Sequence, residues 1–407
     1  MEELGERIRE IRKKKRLTLQ QVAGDHLSKG MLSLIENGKA NPSFETLDHI
    51  LNKLEINLQE LLGEKDWKPI VLEMEELKSR NQHTKILTNL APLLEKEHSS
   101  SYEVARLYFI AASSASTLND DRASYYINRA IKIFYNLRLY NYWGKAMLFV
   151  SMEHFKRFEY EESLQIIKSI QKVFEEKKIH IEELTQLEVN YLEIMLLFAQ
   201  PDSDQVFIRK KLMEVIDYSK KNQVYYKTAD LYRLVALQSL WNKDEVSFHT
   251  YLDKSEKFAE ATDDRLQHSY TLIVRAFYHN EYSKDYKKAL HYCEEFNKPD
   301  ESIYNLETGK ALFGLEAFNL SLDYLNKVTI PPNIYHPFDL ATYYIVDAYK
   351  IRCLVSLNRF DEAKEIIPKM KINFYNLPNN PFDSFIVETE NIVNAISKDN
   401  KGDFKPV

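Results

Sequence analysis

Glycine is scarce in this chain. Nine residues of 407 are Gly, and five of them, Gly5, Gly24, Gly30, Gly38 and Gly63, fall before residue 66. Glycine-rich phosphate loops and tight β-hairpins need residues that accept positive φ, so their near absence predicts a mostly helical body. Cysteine is scarcer still: Cys293 and Cys353 sit in helical patterns without metal-ligand spacing. Two thiols in so long a chain make no disulfide framework and fit a reducing compartment. No apolar run reaches 18 residues, and Met-Glu-Glu begins the chain without an apolar signal segment; a cytoplasmic protein with no membrane contact is expected. No Walker loop, dinucleotide fingerprint, Gly-x-Ser-x-Gly or His-Glu-x-x-His occurs, so no enzyme and no cofactor is expected. The eleven His are scattered, and His180 with Glu182-Glu183 reads as an exposed helix start rather than a ligand set. The acid pairs Glu161-Glu162 and Asp263-Asp264 fall at helix beginnings, where the positive end of the dipole favours them. No metal is expected.

The composition is globular, with 44% hydrophobic and 29% charged residues, and the length suits two or more units. Net charge is −6, yet Arg7, Arg9, Arg12, Lys13, Lys14, Lys15 and Arg16 face only Glu10 in their stretch. A basic segment on an acidic chain reads either as a phosphate contact at one end or as a solvated helix face.

Residues 1–65 read as five short helices. Leu4, Ile8 and Ile11 form the inward stripe of the first. Thr18 and Gln21 have capping-box spacing for the second, and Ser28 can cap a third, anchored by Leu32 and Ile35 and stopped at Asn37-Gly38. Pro42-Ser43 opens the fourth, with Leu47, Ile50, Leu51 and Leu54 inward; Asn57 opens a fifth, with Leu58, Glu60, Leu61 and Leu62. On the third helix Ser28, Lys29, Gly30 and Ser33 point away from the core, and their small, polar or basic character suits entry into a major groove. Thr18, Gln20 and Lys39 stand where flanking phosphates would lie.

From Asp66 the chain repeats a pair of amphipathic helices. The clearest unit runs Gly309, Leu312, Phe318, Ser321, Leu325, Val328, a small–large–aromatic–small order close to that of a tetratricopeptide repeat. Ile351–Met370 gives a second unit, turning at Asn358–Asp361, and Ala236–Ser255 a third, turning at Asn242-Lys243-Asp244. Looser copies lie near 102–141, 142–180, 184–222 and 263–298, the last with an irregular turn at His279–Asp285. The recurrence of about 32 to 40 residues predicts an α-solenoid. The expected divisions are 1–65, a linker pair over 66–100, the solenoid over 101–375, and a capping helix and tail over 376–407. Pro331-Pro332 and Pro378–Pro381 interrupt the rhythm.

Stacked repeats generate a continuous inner groove. Asn190, Asp230, Arg233, Gln238, Arg275 and Arg352 are polar where apolar residues belong, so they are candidates for gripping an extended peptide: Asn can meet backbone donors and acceptors, and Arg can fork onto a carboxylate. The bland reading of each is a solvated or ion-paired inner-face residue. Tyr232, Tyr270 and Tyr344 could add stacking area on the same terms.

The segments Leu17-Thr18-x-x-Gln21-Val22-Ala23 and Leu27–Gly38 resemble the Cro/repressor type of helix-turn-helix, and Ala23–Lys29 looks like the shorter turn of Rgg and PlcR regulators. Leu19 and Leu34 stand where many such domains carry Gln and Arg, so an operator cannot be carried over. The all-α architecture resembles the Rgg–NprR–PlcR–PrgX group of quorum-sensing regulators, with length and turn type most like the NprR branch. That resemblance implies a homodimer on pseudo-palindromic double-stranded DNA, and a signalling oligopeptide in the groove that changes DNA binding. Two other readings stand beside it. One is a switch like the Rap proteins, acting on a phosphorelay response regulator alone or alongside DNA. The other is a solenoid that serves dimerisation only.

Overall fold

The computed structural model describes residues 2–56, 61, 66–95, 98, 100–200, 204–296, 300–375, 377 and 380–402, all in helices, turns or coil and none in a strand. They pack as two compact units, Met1–Ala146 and Met147–Val407. The division falls inside a helix, well beyond the boundary at residue 65 that the sequence suggests.

The first unit begins with α1 (Glu2–Lys14), α2 (Leu19–Ala23), α3 (Lys29–Glu36) and α4 (Phe44–Leu54). Ile8, Val22, Ala23, Leu32, Ile35, Ile50 and Leu54 meet in one small core. Of the fifth helix expected from Asn57, only Leu61 is described, and it is buried in that core; Asn57, Leu58, Glu60 and Leu62 lie outside the described residues. Gly5 is what lets α1 close on α3, since a Cβ there would stand 2.1 Å from the carbonyl oxygen of Ile35. Two helical pairs follow: α5 (Lys68–Ser79) with α6 (His83–Leu94), and α7 (Tyr102–Thr117) with α8 (Ala123–Asn136).

The helix α9 (Tyr140–Lys156) carries the division, and the second unit continues with pairs in the order the periodicity predicts. These are α10 (Tyr160–Lys177), α11 (Glu183–Ala199) with α12 (Gln205–Lys221), α13 (Thr228–Trp241) with α14 (Glu245–Ala261), and α15 (Arg265–Tyr278) with α16 (Tyr286–Glu295). Then come α17 (Glu301–Gly314) with α18 (Phe318–Leu325), α19 (Pro337–Tyr344), α20 (Val346–Ser356), α21 (Phe360–Tyr375) and α22 (Asp383–Gly402), the last running past its expected end at Ser397. The body is a helical repeat of tetratricopeptide type. Small residues hold paired helices together: Ser321 Oγ donates to the Gly309 carbonyl at 2.7 Å, and Ser163 Oγ to the Ser151 carbonyl at 2.7 Å, both across twelve residues. Helix-pair turns are made without glycine. Asn119, Phe158, Gln223, Lys243, Glu316 and Asn358 take the positive φ themselves, a conformation costing an L-residue about 1 kcal/mol.

The irregular turn near His279 is a single π-helical turn, His279–Ser283. It turns Asn280 and Glu281 inward, where Asn280 Nδ2 donates to Glu307 and Lys310 Nζ meets Glu307 Oε1 at 2.9 Å and Glu281 Oε1 at 3.1 Å. Burial alone would lower the Lys310 ammonium, but Glu307 and Glu281 outweigh it and hold its pKa above the ordinary lysine value. Burial raises the Glu307 carboxyl, against the pull of Lys310 and Asn280.

Candidate functional site

On the first unit, helix capping sets the register of the outward face. Gln21 N–H donates to Thr18 Oγ1 and Thr18 N–H to Gln21 Oε1, closing the expected capping box. Met31 N–H donates to Ser28 Oγ at 3.1 Å, and Asn37 ends α3 before Gly38 at φ 68°. The hydroxyls of Thr18 and Ser28 are therefore occupied by backbone, while their residues stay exposed. A His49 ring nitrogen lies 2.9 Å from the Ala23 carbonyl and ties the short turn after α2 to α4.

With Leu32, Ile35 and Glu36 buried, α3 turns Lys29, Gly30 and Met31 outward, and Gln20 and Lys39 are exposed beside it. Ser33 is half-buried, its hydroxyl 3.4 Å from Asn37 Nδ2. Met31 and Leu34 are 44% and 43% exposed. Met31 carries no contact signal in the sequence, because an apolar side chain at helical spacing reads as core, whereas Leu34 stands where many such domains carry Arg. Exposed apolar groups on such a helix suit thymine methyls. The basic stretch splits in function. Arg12 is taken by the fold, its Nε and Nη2 donating to Glu36 at 2.6 and 2.8 Å and its Nη1 to the Leu17 carbonyl. The hydrogen bond from Arg12 to Glu36 raises the guanidinium pKa further, so Arg12 stays charged where it ties α1 to α3. Lys13, Lys14, Lys15 and Arg16 remain exposed.

In the second unit the six candidate gripping residues do not converge. Asp230 is paired with Arg233 and accepts from Tyr191 Oη, and Arg233 also donates to Gln267 Oε1 at 2.5 Å. Gln238 is fully buried and donates to the Gln205 carbonyl at 2.7 Å, bracing α13 against α12. Arg275 is held by Asp253 and Glu256 at 2.7 and 2.6 Å. Arg352 lies 3.6 Å over the Phe385 ring and donates to Thr389 Oγ1, the Phe385 carbonyl and Glu388, clamping α22. Asn190 accepts from Gln186 Nε2 in a separate cleft shared with Gln171 and Lys211.

The residues before and within α19 form a strap that crosses to distant repeats. Tyr160 Oη donates to the Tyr335 carbonyl at 2.8 Å, and Phe338 packs on Trp241 with ring centroids 4.7 Å apart. His336 is buried, with Nε2 3.2 Å from the Met195 carbonyl and Nδ1 accepting from Phe338 N–H at 3.3 Å. These partners assign the proton to Nε2 of a neutral ring, and burial lowers its pKa, with Asp339 opposing. Opposite faces of α19 line different cavities. Pro337, Leu340 and Tyr344 line one of about 640 Å³ with Phe158, Tyr160 and Gln200. Phe338, Asp339, Thr342 and Tyr343 line the other, of about 250 Å³, with Arg233, Tyr270, Phe277 and Asp300. Of the six candidates only Arg233 reaches this second cavity. Asp300 and Asp339 also line it, and in the sequence they carry no signal beyond that of acids at helix starts.

Among the described residues, ligand atoms of Glu256, Glu260 and His268 come within 4.8 Å of one another, but Glu256 already carries Arg275. No helix of the described residues is long and apolar enough to cross a membrane.

Several solved structures are similar. PlcR of Bacillus thuringiensis, in complex with the peptide PapR7 and DNA, is 19% identical at a TM-score of 0.36, covering 66% of this chain and 98% of PlcR. Apo ComR from S. thermophilus is 18% identical at 0.32, covering 74% and 97%. The SHP pheromone receptor Rgg2 of Streptococcus dysgalactiae is 15% identical at 0.21, covering 62% and 99%. No curated protein matches the chain. Residues 5–66 match the family of the "Helix-turn-helix domain".

Proposed function

We propose that the chain is a transcription regulator that reads double-stranded DNA through α3 and takes a short signalling peptide in the groove of its second unit. The observation that carries the DNA reading is the exposed face of α3, with Lys29, Gly30, Met31 and Leu34 outward and every large core residue turned the other way, in a segment that matches a helix-turn-helix family. Lys29 and Ser33 meet bases or phosphates, and Thr18, Gln20, Ser28, Gly30 and Lys39 frame them. Two copies on a pseudo-palindrome give each half-site one α3. For Lys29→Ala and Ser33→Ala, gel shifts on DNA upstream of the chain's own gene should show losses of about tenfold or more for at least one variant. Unchanged affinity and specificity in both would remove the assignment.

The peptide reading rests on the cavity between α19 and the helices α13, α15 and α17. A rival reading also has an observation in its favour. Asp230, Arg233, Arg275, Glu307 and Lys310 are all ion-paired, which suits a closed repeat body serving dimerisation alone. Peptide capture by the full chain separates the two.

A further inference from the structure

The pair that ends with α21 begins unlike the others. Its first helix is α19 and α20 together, joined at Ile345, and the stretch leading into it runs from Ile330 to His336 without helix. That stretch and the start of α19 reach far along the repeat. Tyr335 meets Tyr160 at the start of α10, and the His336 ring stands beside Phe155 of α9 and within reach of the Met195 carbonyl of α11. Phe338 packs on Trp241 of α13, and Tyr343 Oη donates to Asp300 at the cap of α17. With α15 they share the smaller cavity. Apart from α10, every element met is the first helix of its pair, and first helices line the inner groove of a stacked repeat. The strap thus lies in the groove that such repeats offer to an extended peptide.

Its contacts are those of a seated peptide. The main-chain carbonyl of Tyr335 accepts from a groove hydroxyl at 2.8 Å, Pro337 is buried, and Phe338 lies on an indole with ring centroids 4.7 Å apart. The seating is incomplete. Space of about 640 Å³ remains on one side of α19 and about 250 Å³ on the other, unlike the close packing of a settled core. The indole Nε1 of Trp241, beside Phe338, is buried without an acceptor. A buried donor left unmet is a standing cost, which an incoming carbonyl removes.

We propose that the strap is an internal occupant of the peptide groove: residues 330–338 hold the place of the signalling peptide, which displaces them by offering an aromatic ring to Trp241 and a main-chain carbonyl to the Tyr160 hydroxyl. This rests on the peptide reading above and deepens it, since it names what the peptide competes with and the chemistry it needs.

The test compares the full chain with two variants that loosen the strap. Pro331→Gly combined with Pro332→Gly leaves every anchoring residue in place and gives the lifted strap more conformations. Phe338→Ala removes the ring from Trp241. Randomised heptapeptides are the probe, and a synthetic copy of residues 330–340 is the competitor. Both variants should retain heptapeptides severalfold more strongly than the unaltered chain, because apparent affinity scales with the fraction of grooves that are open. Retained sequences should be rich in aromatic residues, and the strap copy should displace them. Amide exchange of residues 338–344 in the unaltered chain should speed up when retained peptides are bound. The double glycine variant leaves the packed residues untouched and carries the test alone should Phe338→Ala unfold. Equal retention by loosened and unaltered chains, failure of the strap copy to compete, or slower exchange at 338–344 on binding overturns the internal occupant and leaves the peptide reading intact. Retention of no heptapeptide by any of the chains overturns both.

Discussion

Gly5 shows how one atom decides a packing distance. Its missing side chain lets α1 approach the Ile35 carbonyl, and a backbone oxygen, unlike a side-chain tip, cannot swing aside. Gly5→Ala should therefore cost about 1–3 kcal/mol through overpacking, only partly offset by roughly 1 kcal/mol of helix propensity. Urea unfolding of residues 1–146 within the full chain, followed by exchange at α1 and α3, checks this; unaltered stability would show that α1 does not need the close approach. Capping at this scale was legible beforehand, because Thr18, Gln21, Ser28 and Ser43 act on backbone a few residues away. Arg12 was not, because its partner Glu36 lies 24 residues on and the run of cations around it masks which one is buried.

Among elements, α19 and α22 carry the parts of the fold that the repeat rhythm did not announce. The strap depends on a neutral His336, whose Nδ1 accepts a hydrogen bond it would lose on protonation. Its pKa is lowered by burial, so the folded state holds its proton less tightly than the unfolded chain. The stability it contributes is present above about pH 6.5, the unfolded value, and is lost as pH falls through the lower folded value. Hydrogen exchange of residues 336–344, corrected for intrinsic rates, should show weaker protection at pH 5.5 than at pH 7.5, and His336→Gln should flatten that difference. Equal protection at both pH values would mean that His336 does not hold the strap. Arg352 was read as a peptide-gripping candidate, and in the structure it docks α22. Arg352→Ala should loosen that helix by about 2 kcal/mol, through lost charge-assisted hydrogen bonds and the Phe385 stack, and open the α21–α22 connection to protease. Resistance equal to the unaltered chain would contradict the clamp. The proline pair at 331–332 marked a break in the rhythm, but where the strap goes was hidden: Tyr160 and Tyr335 are 175 residues apart, and no local pattern encodes that contact.

At the scale of the whole molecule, an acidic chain carries an unbroken run of exposed cations, Lys13 to Arg16, in the same small core unit as the exposed Lys29 and Lys39 of the helix-turn-helix segment. The helix-pair periodicity was legible because each pair buries its own stripe against its neighbour, whatever the fine sequence. The cavity beside α19 was not, since it is assembled from α13, α15, α17 and α19, which are far apart in the sequence and contribute two to four side chains each. The central claim is that this surface reads duplex sequence. Its most direct test is selection by the full-length protein from a pool of randomised duplexes at about physiological salt. The account expects convergence on one motif, in two inverted halves, bound at least about 10³-fold more tightly than scrambled DNA, with the preference lost in Lys29→Ala or Ser33→Ala. Selection that leaves the pool unenriched would contradict it.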